Sequence, residues 1–163
     1  MIGVRVAVKQ GSVLEALGRL ALDRADKREM LDQMGITVAE NTRLRFLDGE
    51  SPEGEPWEES LRVKLQGGET MRDTGVLMNS ITHVIIGDSA VEIGTNVPYA
   101  HPLHFGATIR AVNGPYLRFQ VARGGPWASK KVVVLPARPF LGITDEDARE
   151  FVTIINLFLG TRQ

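Results

Sequence analysis

The chain has 163 residues, 43% hydrophobic and 24% charged, with no cysteine and a formal net charge of −1. That length suits one domain able to bury a real core, and the composition excludes a disordered chain, a collagen-like chain and a coiled-coil rod. The lack of cysteine excludes disulfides, thiolate metal sites and a cysteine nucleophile, and near-neutrality gives no global attraction to nucleic acid or anionic lipid.

The N-terminal run MIGVRVAVKQGS is broken by Arg5 and Lys9, which is not the pattern of a signal peptide. No window approaches 18 uninterrupted apolar residues, so no membrane span is expected and the protein is read as soluble and cytoplasmic in origin. Val4, Val6 and Val8 alternate with Arg5, Ala7 and Lys9, which predicts a half-buried strand. Ser12 with Glu15 three residues on has capping-box spacing. Val13, Leu14, Leu17, Leu20 and Ala21 continue as a helical stripe. Met30, Leu31, Met34, Val38 and Thr42 form a second stripe reaching Phe46. Two helices are therefore predicted between about 12 and 47, joined near Arg24–Asp26. Gly35 falls inside the second and weakens it locally.

Asp48 to Trp57 reads as a loop, because two Gly, two Pro and four carboxylates in ten residues cannot form a buried element. Trp57 is expected to pin that loop to the body. Gly67-Gly68 marks another flexible stretch. Arg72 to Ser80 is read as a short helix or turn, with Asp73 or Thr74 as its N-cap. Ile81–Ile86 and Val91–Gly94 flank Gly87-Asp88-Ser89-Ala90, the shape of a β-hairpin. Pro98 to Gly106 is expected to be irregular. Thr108–Val121 and Lys131–Val134 carry strand-forming residues around a Gly124-Gly125-Pro126 tip, and Pro136 and Pro139 stop the last strand. Thr144 is the predicted cap of a final helix, with Asp145, Glu146 and Asp147 where the dipole favours them. Its apolar side is Ala148, Phe151, Val152, Ile155 and Phe158. The order predicts an α+β fold: N-terminal helices, a mostly antiparallel sheet with an extended hairpin arm at 107–135, and a C-terminal helix, all in a single domain over 1–163.

Charge is segregated. Residues 1–60 carry 8 basic and 12 acidic side chains, whereas residues 101–141 carry 6 basic ones (Arg110, Arg118, Arg123, Lys130, Lys131, Arg138) and no acid. That segment is either a solvated face balanced by the acidic helices or a footprint for an acidic partner or DNA.

No catalytic constellation stands out. His101 and His104 lie three apart, but Pro102 disfavours a helix at His101 and no carboxylate is near in sequence, so no metal site is predicted. His104 is expected to be a buried, hydrogen-bonded turn residue. Ser60 and Ser80 lack elbow glycines, and Gly124-Gly125 is not followed by the Gly-Lys-Ser/Thr of a phosphate loop. Neither enzyme activity nor a cofactor is expected.

Separated motifs occur in a fixed order: Arg45-Phe46, Pro52-x-Gly54, Trp57, Asp73-Thr74-Gly75-x-Leu77-x-x-Ser80-Ile81, Ile93-Gly94-Thr95, Pro98-Tyr99-Ala100-x-x-x-His104-Phe105-Gly106 and Pro136-Ala137-Arg138-Pro139-Phe140-Leu141-Gly142. Together they resemble the phage virion morphogenesis family, the tail completion proteins of tailed bacteriophages, from about Leu14 to Phe158. The resemblance says least about Ala107 to Leu135. It implies a structural virion protein of the neck or tail, made in the host cytoplasm, that closes the head-proximal tail end and supports head–tail joining. It further implies a homo-oligomeric ring, hexamer or dodecamer, beside neck, tail terminator or head-completion proteins. DNA would pass nearby without being specifically bound, and no membrane would be involved. The family brings no catalytic residues.

Tyr99, Phe105 and Phe140 read as anchors set among glycines and prolines. Candidate interaction residues are Arg110, Tyr116, Arg118, Arg123, Trp127, Lys130, Lys131 and Arg138, since aromatics and arginine are enriched where interfaces are energetic. Arg138 could pair with a carboxylate inside the fold or on a neighbour. The competing readings are a DNA-binding accessory protein using 101–141 and a hydrolase acting during morphogenesis.

Overall fold

The structure, a computed structural model, describes residues 24–160 and the backbone of residues 4–7. The helix predicted to begin at Ser12 lies outside the described residues. The fold is α+β, as the element order predicts.

Helix α1, Arg24–Asp48, is the spine. Met30, Leu31, Met34, Val38, Thr42, Arg45 and Phe46 recur at helical spacing and are buried, because side chains three and four apart share a face. Gly49, at φ 76°, ends the helix, and its N–H donates to the Arg45 carbonyl at 2.8 Å, a left-handed cap that favours glycine. One face of α1 lies on a three-stranded antiparallel sheet of β1 (Val4–Ala7), β2 (Thr82–Ile86) and β3 (Ala90–Thr95), in order β1-β3-β2. The β2–β3 hairpin turns where Gly87-Asp88-Ser89 predicts it. Gly35, which weakens the helix in sequence terms, is what lets helix and sheet approach. A Cβ there would stand 2.5 Å from the His83 ring and 2.8 Å from Val91.

Two short helices follow the acidic loop. Helix α2, Leu61–Gln66, is capped by Ser60, whose hydroxyl accepts from the Val63 N–H. Helix α3, Val76–Asn79, is a single turn whose N-cap is Gly75 at φ 75°, with no side-chain cap. The expected cap by Asp73 or Thr74 is therefore replaced by a left-handed glycine. The expected irregular stretch Pro98–Gly106 contains helix α4, Ala100–Phe105. Pro102 is its third residue, where the N–H has no intrahelical acceptor in any case, so the proline removes no helical bond.

Residues 107–135 form a nested hairpin. Strand β4 (Ala107–Arg110) pairs with β7 (Val132–Leu135), and β5 (Leu117–Gln120) pairs with β6 (Trp127–Lys130). Arg110 faces Val132 in the inner ladder, and Leu117 faces Lys130 in the outer one. Residues 111–116 on one side are therefore spanned by Lys131 alone on the other. The strand-forming residues of Thr108–Val121 thus fall in two strands separated by this excursion, where Asn113-Gly114-Pro115 favours a turn.

Helix α5, Asp145–Gly160, packs against α1. Met30 and Met34 meet Phe151, Ile154, Ile155 and Phe158 there. The main core gathers Val38, Phe46, Trp57, Leu77, Ile81, Ile93, Val97, Ala100, Phe140 and Leu141. Among the described residues, no helix is long and apolar enough to cross a membrane.

Candidate functional site

Of the motifs that carry the family resemblance, Arg45-Phe46, Pro52, Trp57, His104 and Phe140 to Gly142 meet in one internal knot, whereas Asp73, Thr74, Gly75, Leu77, Tyr99, Pro136 and Arg138 line a groove. Phe46 packs on Trp57 and on Phe140, each at 5.3 Å between ring centroids. Trp57 Nε1 donates to the Pro139 carbonyl at 2.8 Å, which pins the acidic loop to the body. The Phe140 N–H donates to His104 Nδ1 at 3.3 Å. Arg45 donates to the Gly142 carbonyl at 3.1 Å. Pro52 lies so close to Gly142 that a Cβ there would be 2.7 Å from it. A Cβ on Gly106 would stand 2.9 Å from the Ala137 backbone, at a φ of 75°. These residues build the scaffold from which the arm projects.

His101 and His104 share α4 after all, but in different surroundings. His104 is buried and held by Phe140, His101 is exposed, and both rings pack on Phe105. Among the described residues no three His, Cys, Asp or Glu side chains gather to hold a metal. Burial, then the neighbouring His101, lowers the His104 pKa, with Glu53 opposing.

Of the expected anchors, Phe140 is fully buried, but Tyr99 is 46% and Phe105 57% exposed. Both rings lie at the surface, Phe105 against the His101 and His104 rings.

The arm brings most of the candidate interaction residues together. Arg110, Arg118, Arg123, Lys130 and Lys131 are exposed, as are Tyr116 and Trp127. The Arg118 guanidinium lies 5.9 Å from the Trp127 ring centroid, within cation–π range. Alternation puts Arg118, Gln120, Trp127 and Ser129 on one face of the outer ladder and Leu117, Phe119 and Ala128 on the other.

Arg138 stands apart from the other candidate interaction residues because it is buried. It is 5% exposed and its Nε donates to the Glu58 carbonyl at 2.9 Å. Burial lowers its pKa, and Glu58 opposes that shift. Its position between two prolines places it in an extended segment running under the loop, so the guanidinium meets a main-chain carbonyl rather than a neighbour.

Sequence reasoning missed a groove of about 920 Å³ between the arm and the body. Leu117, Phe119 and Val133 line its arm wall, and Glu58, Leu61 and Val76 its body wall. The acidic loop carries the opposite charge to the arm. Asp48, Glu50, Glu53, Glu55, Glu58 and Glu59 occupy twelve residues without a cation, and all but the half-buried Glu50 are exposed.

The described residues thus form a scaffold held by internal hydrogen bonds, with a charged hairpin projecting from it. The phage virion morphogenesis family matches residues 8–159, and the chain belongs to it. The chain is similar to the Mu-like prophage FluMu G protein 2 of Haemophilus influenzae, 29% identical over 140 residues that cover 86% of this chain and 83% of the relative. No solved structure matches.

Proposed function

We propose that this protein is a structural subunit of a tailed-phage virion that completes the head-proximal end of the tail and supports its joining to the head. Membership of the phage virion morphogenesis family over residues 8–159 carries the reading. That span takes in the knot, the arm and the acidic loop. Supporting it, the described residues offer exposed aromatics and cations on a hairpin rather than a catalytic cleft, and such side chains are the common energetic centres of protein interfaces. Copies arranged as a ring, hexamer or dodecamer, around the tail axis fit this role, since each contact is then heterologous and must close. Neck, tail terminator or head-completion proteins are the natural neighbours.

Immunogold labelling of intact virions tests the location. Gold at the head–tail junction is the expected result, and gold at the tail tip or only on free protein would overturn it. The rival reading, a DNA-binding accessory protein using residues 101–141, predicts retention of the isolated protein on duplex DNA with a steep salt dependence.

A further inference from the structure

We propose that the arm of one copy docks on the acidic loop and adjoining groove wall of a second copy, joining copies head to tail. The proposal rests on the reading of this protein as an assembly subunit and names the surfaces that would meet.

The charges define the pairing. Arg110, Arg118, Arg123, Lys130 and Lys131 project from an arm without a carboxylate. Asp48, Glu50, Glu53, Glu55, Glu58 and Glu59 occupy a loop without a cation. Among the described residues, none of these eleven side chains forms a salt bridge, whereas Arg24, Arg43, Arg45, Arg62 and Arg72 all do. Glu53 and Glu58 act only at longer range, on His104 and Arg138. Arm and loop reach opposite walls of one groove, and Arg118 and Glu58 both line it. Among the described residues, no salt bridge joins arm to loop across it; the pair in its lining, Arg62–Asp73, lies within the body.

The apolar surfaces follow the same division. On the arm, Val112 is 91%, Val134 69% and Trp127 65% exposed. Beside the acidic loop, Leu61 and Leu65 on α2 are 64% and 69% exposed. The arm thus combines unpaired cations with uncovered apolar side chains, and the loop's unpaired carboxylates adjoin the exposed leucines of α2, whose Arg62 is paired with Asp73 and whose Lys64 is exposed, a make-up that suits a docking face.

Electrostatics also selects the partner and the symmetry. Arm against arm sets five cations against five, and loop against loop sets six carboxylates against six. Only arm against loop attracts, and unlike charges across an interface fix its register while like charges reject wrong pairings. The contact is then heterologous, so it propagates around a ring or along a filament. Duplex DNA fits less well on the loop side, where six carboxylates stand in twelve residues without a cation, although the groove itself is lined by Arg62, Lys64 and Arg138 as well as by Glu58, Glu59 and Asp73.

The test is a charge exchange read by sedimentation velocity at low and at high salt, with far-UV circular dichroism on every variant. One protein carries Arg118→Glu, Arg123→Glu, Lys130→Glu and Lys131→Glu. The other carries Glu53→Lys, Glu55→Lys, Glu58→Lys and Glu59→Lys. Wild type is expected to self-associate, more weakly as salt rises. Each variant alone should associate roughly 100-fold more weakly, since like-charge contacts cost several kcal/mol. An equimolar mixture should regain association, and so should a chain carrying both sets. If a reversed variant misfolds, the same eight positions changed to Gln replace it, and weakened association of each Gln set is then expected. A wild type that stays monomeric at about 1 mM, reversed variants that associate as wild type does, or a mixture that fails to recover would overturn the proposal. Arm-dependent binding of duplex DNA by a monomeric wild type would overturn it too. Location at the head–tail junction is read independently by immunogold, so self-docking can fail while the structural role stands.

Discussion

Arg45 on α1 and Asp147 on α5 meet at 2.9 Å inside the protein, the carboxylate fully excluded from solvent and the guanidinium nearly so. The pair is embedded. Asp147 also accepts from Asn41 at 2.7 Å and from the Thr144 N–H at 2.8 Å, while Thr144 Oγ1 accepts from the Asp147 N–H at 3.1 Å. This is a capping box with its carboxylate extended into an interhelical ion pair. Removing one partner of such a pair strands a buried charge. Arg45→Met is expected to cost about 3–5 kcal/mol. Arg45→Met with Asp147→Leu is expected to cost well under the sum of the two single changes. Urea unfolding of the three variants checks both, and a single-variant loss below about 1 kcal/mol would count against a buried pair.

Phe140 and Phe105 separate core from surface. Phe140→Ala should cost about 3–5 kcal/mol, as large aromatic truncations in cores do. Phe105→Ala should change stability by no more than about 0.5 kcal/mol, the range of exposed positions. Thermal unfolding of the two variants side by side distinguishes them, and equal losses would contradict the assigned burial.

Gly35 sets a packing distance. Alanine would gain about 1 kcal/mol of helix propensity, but its Cβ would meet His83 and Val91 well inside contact distance. Overpacking of this kind costs about 1–3 kcal/mol. Gly35→Ala is therefore expected to destabilise, and a rise in midpoint temperature would show that the sheet moves freely away from α1.

His104 gives the fold an acid-side dependence. Its pKa is lowered in the folded chain, chiefly by burial and then by His101, so below the ordinary value of 6.5 the unfolded chain binds more protons than the folded one. Stability is then full above about 6.5, falls as pH drops from there to the lowered folded pKa, and levels beneath it as far as this group is concerned. His104→Asn should flatten that segment of the stability–pH curve. An unchanged slope between wild type and variant would remove His104 as its source.

The parts of the fold set by local patterns are legible in the sequence. The buried stripe of α1, the Gly87-Asp88-Ser89 turn, the Trp57 anchor and the Thr144 cap each follow from periodicity or side-chain chemistry within a few residues. What escaped depends on distant partners. Pro102 hides a helix because its tolerance rests on its position in the first turn. The sequence leaves Arg138 a partner inside the fold or on a neighbour, and only the fold brings the Glu58 carbonyl, 80 residues away in sequence, onto it. Phe105 looks like an anchor because its neighbours are turn formers, and only the packing of α4 shows which way the ring points. The basic arm was legible from its acid-free run, but the groove beneath it joins α2, α3 and the hairpin, and no local signal links those segments.

Head–tail joining in vitro tests the central claim most directly. Heads and tails from a phage lacking this protein are mixed with purified wild type, or with the variant carrying Arg118→Gln, Arg123→Gln, Lys130→Gln and Lys131→Gln, and scored by electron microscopy. Wild type is expected to yield joined particles, and the variant, folded by circular dichroism, few. Tails that join heads equally well without the protein, or a complete absence of tails when it is missing, would contradict a role in completing the tail for joining.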